Sequence, residues 1–99
     1  MTKKTELHLH LISDSTGETV HQYARAGLAQ FPTTDITEHI WTLVRNKAHI
    51  DAIDRNLEKN PGIVLFSIIN EEVREMLEAL CLEKGVPSLS ILDPVVDMS

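Results

Sequence analysis

Seven consecutive residues hold most of this chain's chemical promise: Ser13-Asp14-Ser15-Thr16-Gly17-Glu18-Thr19. They follow the apolar run Leu7-His8-Leu9-His10-Leu11-Ile12 and precede a helical pattern. A strand that ends in a small, hydroxyl-rich turn and opens a helix gathers unpaired backbone N–H groups in one place. That arrangement suits an anion, usually a phosphate. Gly17 lets the backbone approach a ligand closely, and the hydroxyls of Ser13, Ser15, Thr16 and Thr19 add donors. Asp14 and Glu18 bring negative charge to the same spot, so a phosphate there needs a cation or a metal nearby.

A second reading of the same residues is structural. Ser15 with Glu18 three positions on is a capping-box pattern, each residue's side chain bonding the other's N–H. Capping and anion binding compete for the same amides, and both readings stay open at this level.

The elements that would position this turn alternate in type. Leu7 to Ile12 reads as a first strand. A helix from about Thr16 to Phe31 carries Val20, Tyr23, Ala24, Leu28 and Phe31 as an apolar stripe, and Pro32 stops it. Asp35 to Trp41 alternates as a second strand. Asn46 begins a second helix that runs to about Lys59, with Ile50, Ile53 and Leu57 on one side, and Asn60-Pro61-Gly62 ends it. Ile63 to Ile69 is apolar on both faces, as a central parallel strand should be. Asn70 caps a third helix whose stripe is Val73, Met76, Leu77, Leu80 and Cys81, and Gly85 closes it. Val86 to Leu92 is a fourth strand.

This βαβαβαβ order predicts a three-layer α/β fold: a parallel four-stranded sheet in the order 2-1-3-4, with helices on both faces. The turn after strand one then falls at the topological switch point, where such sheets bind ligands. The last residues, Asp93-Pro94-Val95-Val96-Asp97-Met98-Ser99, begin a turn that a doubly wound sheet would carry on into another helix. We therefore expect residues 1–99 to be a single α/β domain that forms the N-terminal part of something longer. Asp93 lies on the same sheet edge as the Ser13–Thr19 turn and is a weaker candidate for the cleft, or a simple turn initiator.

Composition narrows the partners. The net charge is −6, which disfavours nucleic acid and anionic membranes. Aromatic residues are few, so the core must be aliphatic. Cys81 is the only cysteine. It excludes an internal disulfide and fits a cytoplasmic protein. No apolar run reaches the ~18 residues of a membrane span, and the start carries no pattern of a secretory signal.

The remaining chemistry-bearing residues read as structural. His8 and His10 share a strand face, a spacing that can bind a metal if a third ligand arrives, but no Cys/His cluster supplies one. His21, His39 and His49 look isolated, and no metal is expected. Cys81 sits in an apolar stripe with no basic neighbour to favour a thiolate. There is no G-x-x-x-x-G-K-[ST] loop and no G-x-G-x-x-G. The third strand ends in Ser67, Ile68, Ile69 and Asn70, without the acceptor aspartate of a phospho-receiver domain.

The run from Leu7 to Thr19, together with Ala24-Arg25-Ala26, Ala29-Gln30-Phe31, Glu38-His39-Ile40-Trp41, Asn60-Pro61-Gly62-Ile63-Val64 and Leu92-Asp93-Pro94, resembles the opening of the bacterial pyruvate, phosphate dikinase regulatory proteins. The Ser-Thr-Gly-Glu-Thr after Ser13-Asp14 favours this group over the sister group that acts on phosphoenolpyruvate synthase. The resemblance implies a cytoplasmic bifunctional serine/threonine kinase and phosphorylase. Such a protein phosphorylates a threonine of pyruvate, phosphate dikinase with ADP, and removes that phosphate by phosphorolysis with inorganic phosphate, releasing pyrophosphate. It also implies that the ADP-binding P-loop belongs to a C-terminal domain outside these 99 residues. The chain alone is then expected to hold no catalytic residue, to bind no cofactor of its own and to be inactive, and homo-oligomers stay open. Two alternatives come from other classes. Ser-Thr-Gly-Glu-Thr after a first strand also resembles the FMN phosphate loop of flavodoxins, although the later loops offer no aromatic residue to stack on a flavin. A non-catalytic docking module would use the turn only as a helix cap.

Overall fold

The computed structural model describes residues 5–28 and 34–91. Strand β1 (Thr5–Ser13) leads through helix α1 (Glu18–Leu28) to β2 (Thr34–Trp41). Helix α2 (Lys47–Lys59), β3 (Ile63–Ser67), α3 (Glu71–Lys84) and β4 (Ser88–Ser90) follow. All pairings are parallel and the sheet order is β2-β1-β3-β4, as the alternation of patterns predicts. Parallel neighbours need crossover helices, and a right-handed crossover fixes the face each helix takes.

Period-two alternation divides the two central strands, β1 and β3, between two cores. On one face, Ile12, Val64, Phe66 and Ile68 meet Ile50, Ile53 and Leu57 of α2 and Val73, Leu77, Leu80 and Cys81 of α3. On the other, Leu9, Leu11 and Ile91 meet Val20 and Ala24 of α1. Among the described residues, two helices thus cover one face and one helix covers the other. The α2 and α3 stripes fall where helical spacing put them. Asn46 Oδ1 accepts His49 N–H and Asn70 Oδ1 accepts Val73 N–H, each at 3.0 Å, so asparagine caps start both helices. Lys84 at the end of α3 lies 2.6 Å from both Asp54 and Glu58 of α2 and ties the two helices together. These hydrogen bonds hold its ammonium pKa above the ordinary lysine value, Asp54 contributing most.

Several boundaries move. Helix α1 begins at Glu18 rather than Thr16, because Gly17 takes a left-handed φ of +86° that no helical residue adopts. Tyr23, assigned to the apolar stripe of α1, is 55% exposed. Strand β3 stops at Ser67; Ile68 still plugs the core, while Ile69 is exposed. Strand β4 is confined to Ser88–Ser90. Phe31, Pro32, Leu92, Asp93 and Pro94 lie outside the described residues, so the expected stop of α1 and the candidate role of Asp93 are not placed by this structure.

Gly62 explains the tight pairing of β1 and β3. A Cβ there would sit 1.9 Å from the His8 carbonyl oxygen. Backbone cannot yield as a side chain can, so only glycine lets β3 enter at this register.

Candidate functional site: the turn between β1 and α1

The parallel sheet aims the C-terminal ends of its strands and the N-terminal ends of α1, α2 and α3 at one edge. The turn after β1 sits at the centre of that edge, between the loops that follow β2 and β3. Both loops hold it. Val44 N–H donates to Ser13 O and Leu43 N–H to Ser15 O, each at 3.0 Å. From the other side, Asp14 N–H donates to Ser67 O at 3.4 Å. Asp14 Oδ2 accepts Ile69 N–H at 2.8 Å and Asn70 N–H at 3.0 Å.

Six of the seven candidate residues therefore separate into two sets. Ser13, Asp14 and Ser15 build the turn. Ser13 is 1% exposed and its Oγ accepts Ser15 N–H at 3.0 Å, with the two hydroxyls 3.2 Å apart. Asp14 commits one carboxylate oxygen to the β3–α3 loop, which turns charge that would oppose an anion toward two amides. Thr16, Gly17 and Glu18 line an open groove of about 430 Å³, together with His21, Gln22 and Arg25 of α1. Thr19 stands half-buried in the first turn of the helix.

The expected capping box does not form in the predicted register. Ser15 stands three residues ahead of Glu18, the first helical residue, and so misses the N-cap position. Gly17 occupies the place before Glu18, and its carbonyl accepts His21 N–H at 3.0 Å. A reciprocal Ser15–Glu18 pair needs Glu18 at the third helical position.

Residues 18, 21, 22 and 25 fall at i, i+3, i+4 and i+7, one face of α1. Arg25 gives this groove a permanent cation. His21 adds an imidazole whose Nε2 lies 4.0 Å from Glu38 Oε1 on β2. Neither residue was singled out from sequence, although their helical spacing from Glu18 was a usable signal. With helix-terminal N–H groups at one end and a guanidinium two turns along, the groove can hold an anion. Glu18 works against this at the near end.

The histidines form a separate constellation. His39, taken from sequence as isolated, pairs in register with His10 across β1 and β2. Their rings stack with centroids 4.6 Å apart and planes at 12°. His8 Nδ1 lies 3.0 Å from His39 Nε2. His10 Nε2 donates to the Asn60 carbonyl at the end of α2, at 2.8 Å. The missing third imidazole thus arrives, yet among the described residues no group of three or more His, Cys, Asp or Glu side chains is arranged to hold a metal ion. Burial, more than the neighbouring imidazoles, pushes the pKa values of His10 and His39 below the ordinary imidazole value. Cys81 is buried and burial pushes its thiol pKa up, in keeping with an inert structural cysteine. No helix among the described residues is long and apolar enough to cross a membrane.

Residues 9–99 match the family model described as kinase/pyrophosphorylase. Curated relatives named pyruvate, phosphate dikinase regulatory protein are similar over nearly the whole chain. The one from Rhizorhabdus wittichii is 48% identical over 91 residues, covering 92% of this chain and 33% of its own length. The one from Novosphingobium aromaticivorans is 50% identical over 91 residues, with 92% and 32% covered. That of Afipia carboxidovorans is 43% identical over 97 residues, with 98% and 34% covered. The chain therefore spans about a third of the length of the curated relatives it matches. With a family model covering all but the first eight residues and this level of identity, the chain belongs to the kinase/pyrophosphorylase family.

Proposed function

We propose that this chain is the N-terminal α/β domain of a cytoplasmic bifunctional regulator of pyruvate, phosphate dikinase. In one direction the whole regulator transfers the terminal phosphoryl group of ADP to a dikinase threonine, leaving AMP. In the other, inorganic phosphate attacks the phosphothreonine, which regenerates the hydroxyl and releases pyrophosphate. The observation that carries this reading is the groove at the switch point, where Gly17 and Glu18 open α1 and Arg25 supplies positive charge. Its role is to hold and orient the inorganic phosphate or pyrophosphate, not to activate it. Phosphoryl transfer depends chiefly on such positioning and charge neutralisation. ADP binding belongs to the part of the regulator that these 99 residues do not include, and the chain alone has no turnover.

The match of residues 9–99 to the kinase/pyrophosphorylase family and the dikinase-regulatory names of the relatives support this reading. The flavin alternative gains nothing from the geometry: neither Tyr23 nor Trp41 lines the groove, and Trp41 packs against the α2–α3 core.

Titration with inorganic phosphate, followed by amide NMR, tests the site. Millimolar phosphate should shift the Gly17 and Glu18 amides while leaving those of α3 in place. Unmoved Gly17 and Glu18 resonances would discard the site. No dikinase phosphorylation or phosphorolysis is expected from the 99-residue chain, and measured turnover would refute the division of labour.

A further inference from the structure

The two faces of the sheet are unequally covered. Helices α2 and α3 close one of them. Among the described residues the other carries α1 alone. On its β3–β4 side Ile63 and Leu65 pack at the margin of the α1 core and stay half-buried, and Leu89, in register with Leu65, is 59% exposed. Parallel sheets are stable with both faces covered, and the covering element is a helix.

Crossover handedness restricts where that helix comes from. The step from β3 to β4 places α3 on the α2 side. A further unit extending the sheet outward past β4 would put its helix on that same side. The bare strip is filled only by a helix that returns across the sheet, or by one from a separate unit. A second copy fits poorly. Three aliphatic side chains fall well short of the ~1,200 Å² that a stable dimer buries, and each copy brings a net charge of −6. The strip suits one helix lying beside α1. The relatives are about three times the length matched here, so their remaining two-thirds has ample chain for it.

We propose that Ile63, Leu65 and Leu89 form the seat of an amphipathic helix supplied by the two-thirds of the regulator that this chain does not span. This rests on the reading of the chain as one domain of a longer regulator, and it adds the surface by which that domain is held.

Solvent accessibility of methyl groups, read by relaxation from a soluble gadolinium chelate, tests the seat. Two polypeptides are compared: the 99-residue chain, and the same chain joined to the remaining two-thirds of the Rhizorhabdus wittichii relative. The Leu65 and Leu89 methyls should relax strongly in the first and severalfold less in the second. Leu89→Lys in the joined protein should bring back fast relaxation at Leu65. Leu82→Lys, at an exposed position on α3, should not. Equal relaxation in both polypeptides would overturn the proposal. So would shielded methyls in the short chain with the mass of a dimer, which makes a second copy the occupant. Dikinase inactivation by the joined protein is scored separately. Shielded methyls without that activity would sink the functional reading and leave the seat standing; activity with open methyls would do the reverse.

Discussion

Asp14 and Asn70, 56 residues apart in sequence, meet at the top of the sheet, where the Asp14 carboxylate accepts the Asn70 N–H at 3.0 Å. The same oxygen accepts Ile69 N–H at 2.8 Å. Asn70 in turn caps α3 through its own side chain. One carboxylate thus joins the turn after β1 to the start of α3.

Asp14→Ala should therefore act on stability first. It leaves two amides without their acceptor and loosens the α3 cap behind them. Hydrogen bonds to a charged acceptor contribute about 1.5–3 kcal/mol, and partial solvent exposure places the expected loss toward the lower end. Asp14→Asn keeps an acceptor oxygen and should recover part of the loss. Urea unfolding of the three proteins measures this. Equal stability of Asp14→Ala and the parent would show that the bridge contributes nothing.

Much of this fold was legible because its signals are local. The stripes of α2 and α3, the asparagine caps and the apolar run of β3 are each written within one segment. The β2-β1-β3-β4 order followed from crossover rules acting on that alternation. What escaped is what depends on pairing between segments. The role of Asp14 as a bridge needs the β3–α3 loop beside it. His39 joins His10 only through the register of β2 on β1, and a one-residue slip would have put it on the other face. The capping box failed for a conformational reason: Gly17 goes left-handed and delays the helix past Ser15. Arg25 was readable from its spacing to Glu18, but its importance depended on the groove being open.

The histidine cluster predicts a pH dependence. His10 and His39 have folded-state pKa values pushed below 6.5, chiefly by burial, with the neighbouring imidazoles adding to it. The unfolded chain therefore takes up protons that the folded one refuses. Stability is fully present above the unfolded imidazole value and is lost as pH falls through it toward the depressed folded values. Unfolding midpoints measured in urea between about pH 7.5 and 5.5, a window above the ordinary carboxylate range, should fall on the acid side. His10→Leu should flatten the slope. A parent protein with no slope in that window would contradict the coupling between burial and protonation.

Two glycines should respond in opposite directions to alanine. At Gly62 the new methyl would meet the His8 carbonyl at 1.9 Å, so β1 and β3 must separate. Overpacking against a side chain costs about 1–3 kcal/mol, occasionally more, and a backbone clash in the central pairing belongs at or beyond the top of that range. At Gly27, near the end of α1, nothing lies within 4 Å of the added carbon. Gly27→Ala should stabilise by about 0.5–1 kcal/mol through the lower entropy of the unfolded chain. Thermal unfolding of both variants decides, and destabilisation at Gly27 or tolerance at Gly62 would contradict this account of the packing.

Separating the groove's chemistry from its architecture needs three more substitutions. Arg25 is exposed and lines the groove without a structural ion pair among the described residues. Arg25→Gln should leave stability within about 0.5 kcal/mol, as substitutions at such surface positions do. If the groove holds phosphate, the same change should weaken phosphate binding severalfold and reduce its sensitivity to salt, because the guanidinium is the groove's permanent cation. Gly17→Ala should behave differently. Its φ of +86° costs a side-chain-bearing residue about 1–2 kcal/mol, and the new methyl would lie 3.2 Å from Thr42 Cγ2. That variant should lose stability and phosphate affinity together. Gly17→Asn, which tolerates left-handed backbone better, should regain part of both. Unfolding midpoints and phosphate titrations on the three variants give six values. An Arg25→Gln protein that binds phosphate as the parent does would remove the guanidinium from the site and leave the groove without the charge that makes it attractive to an anion.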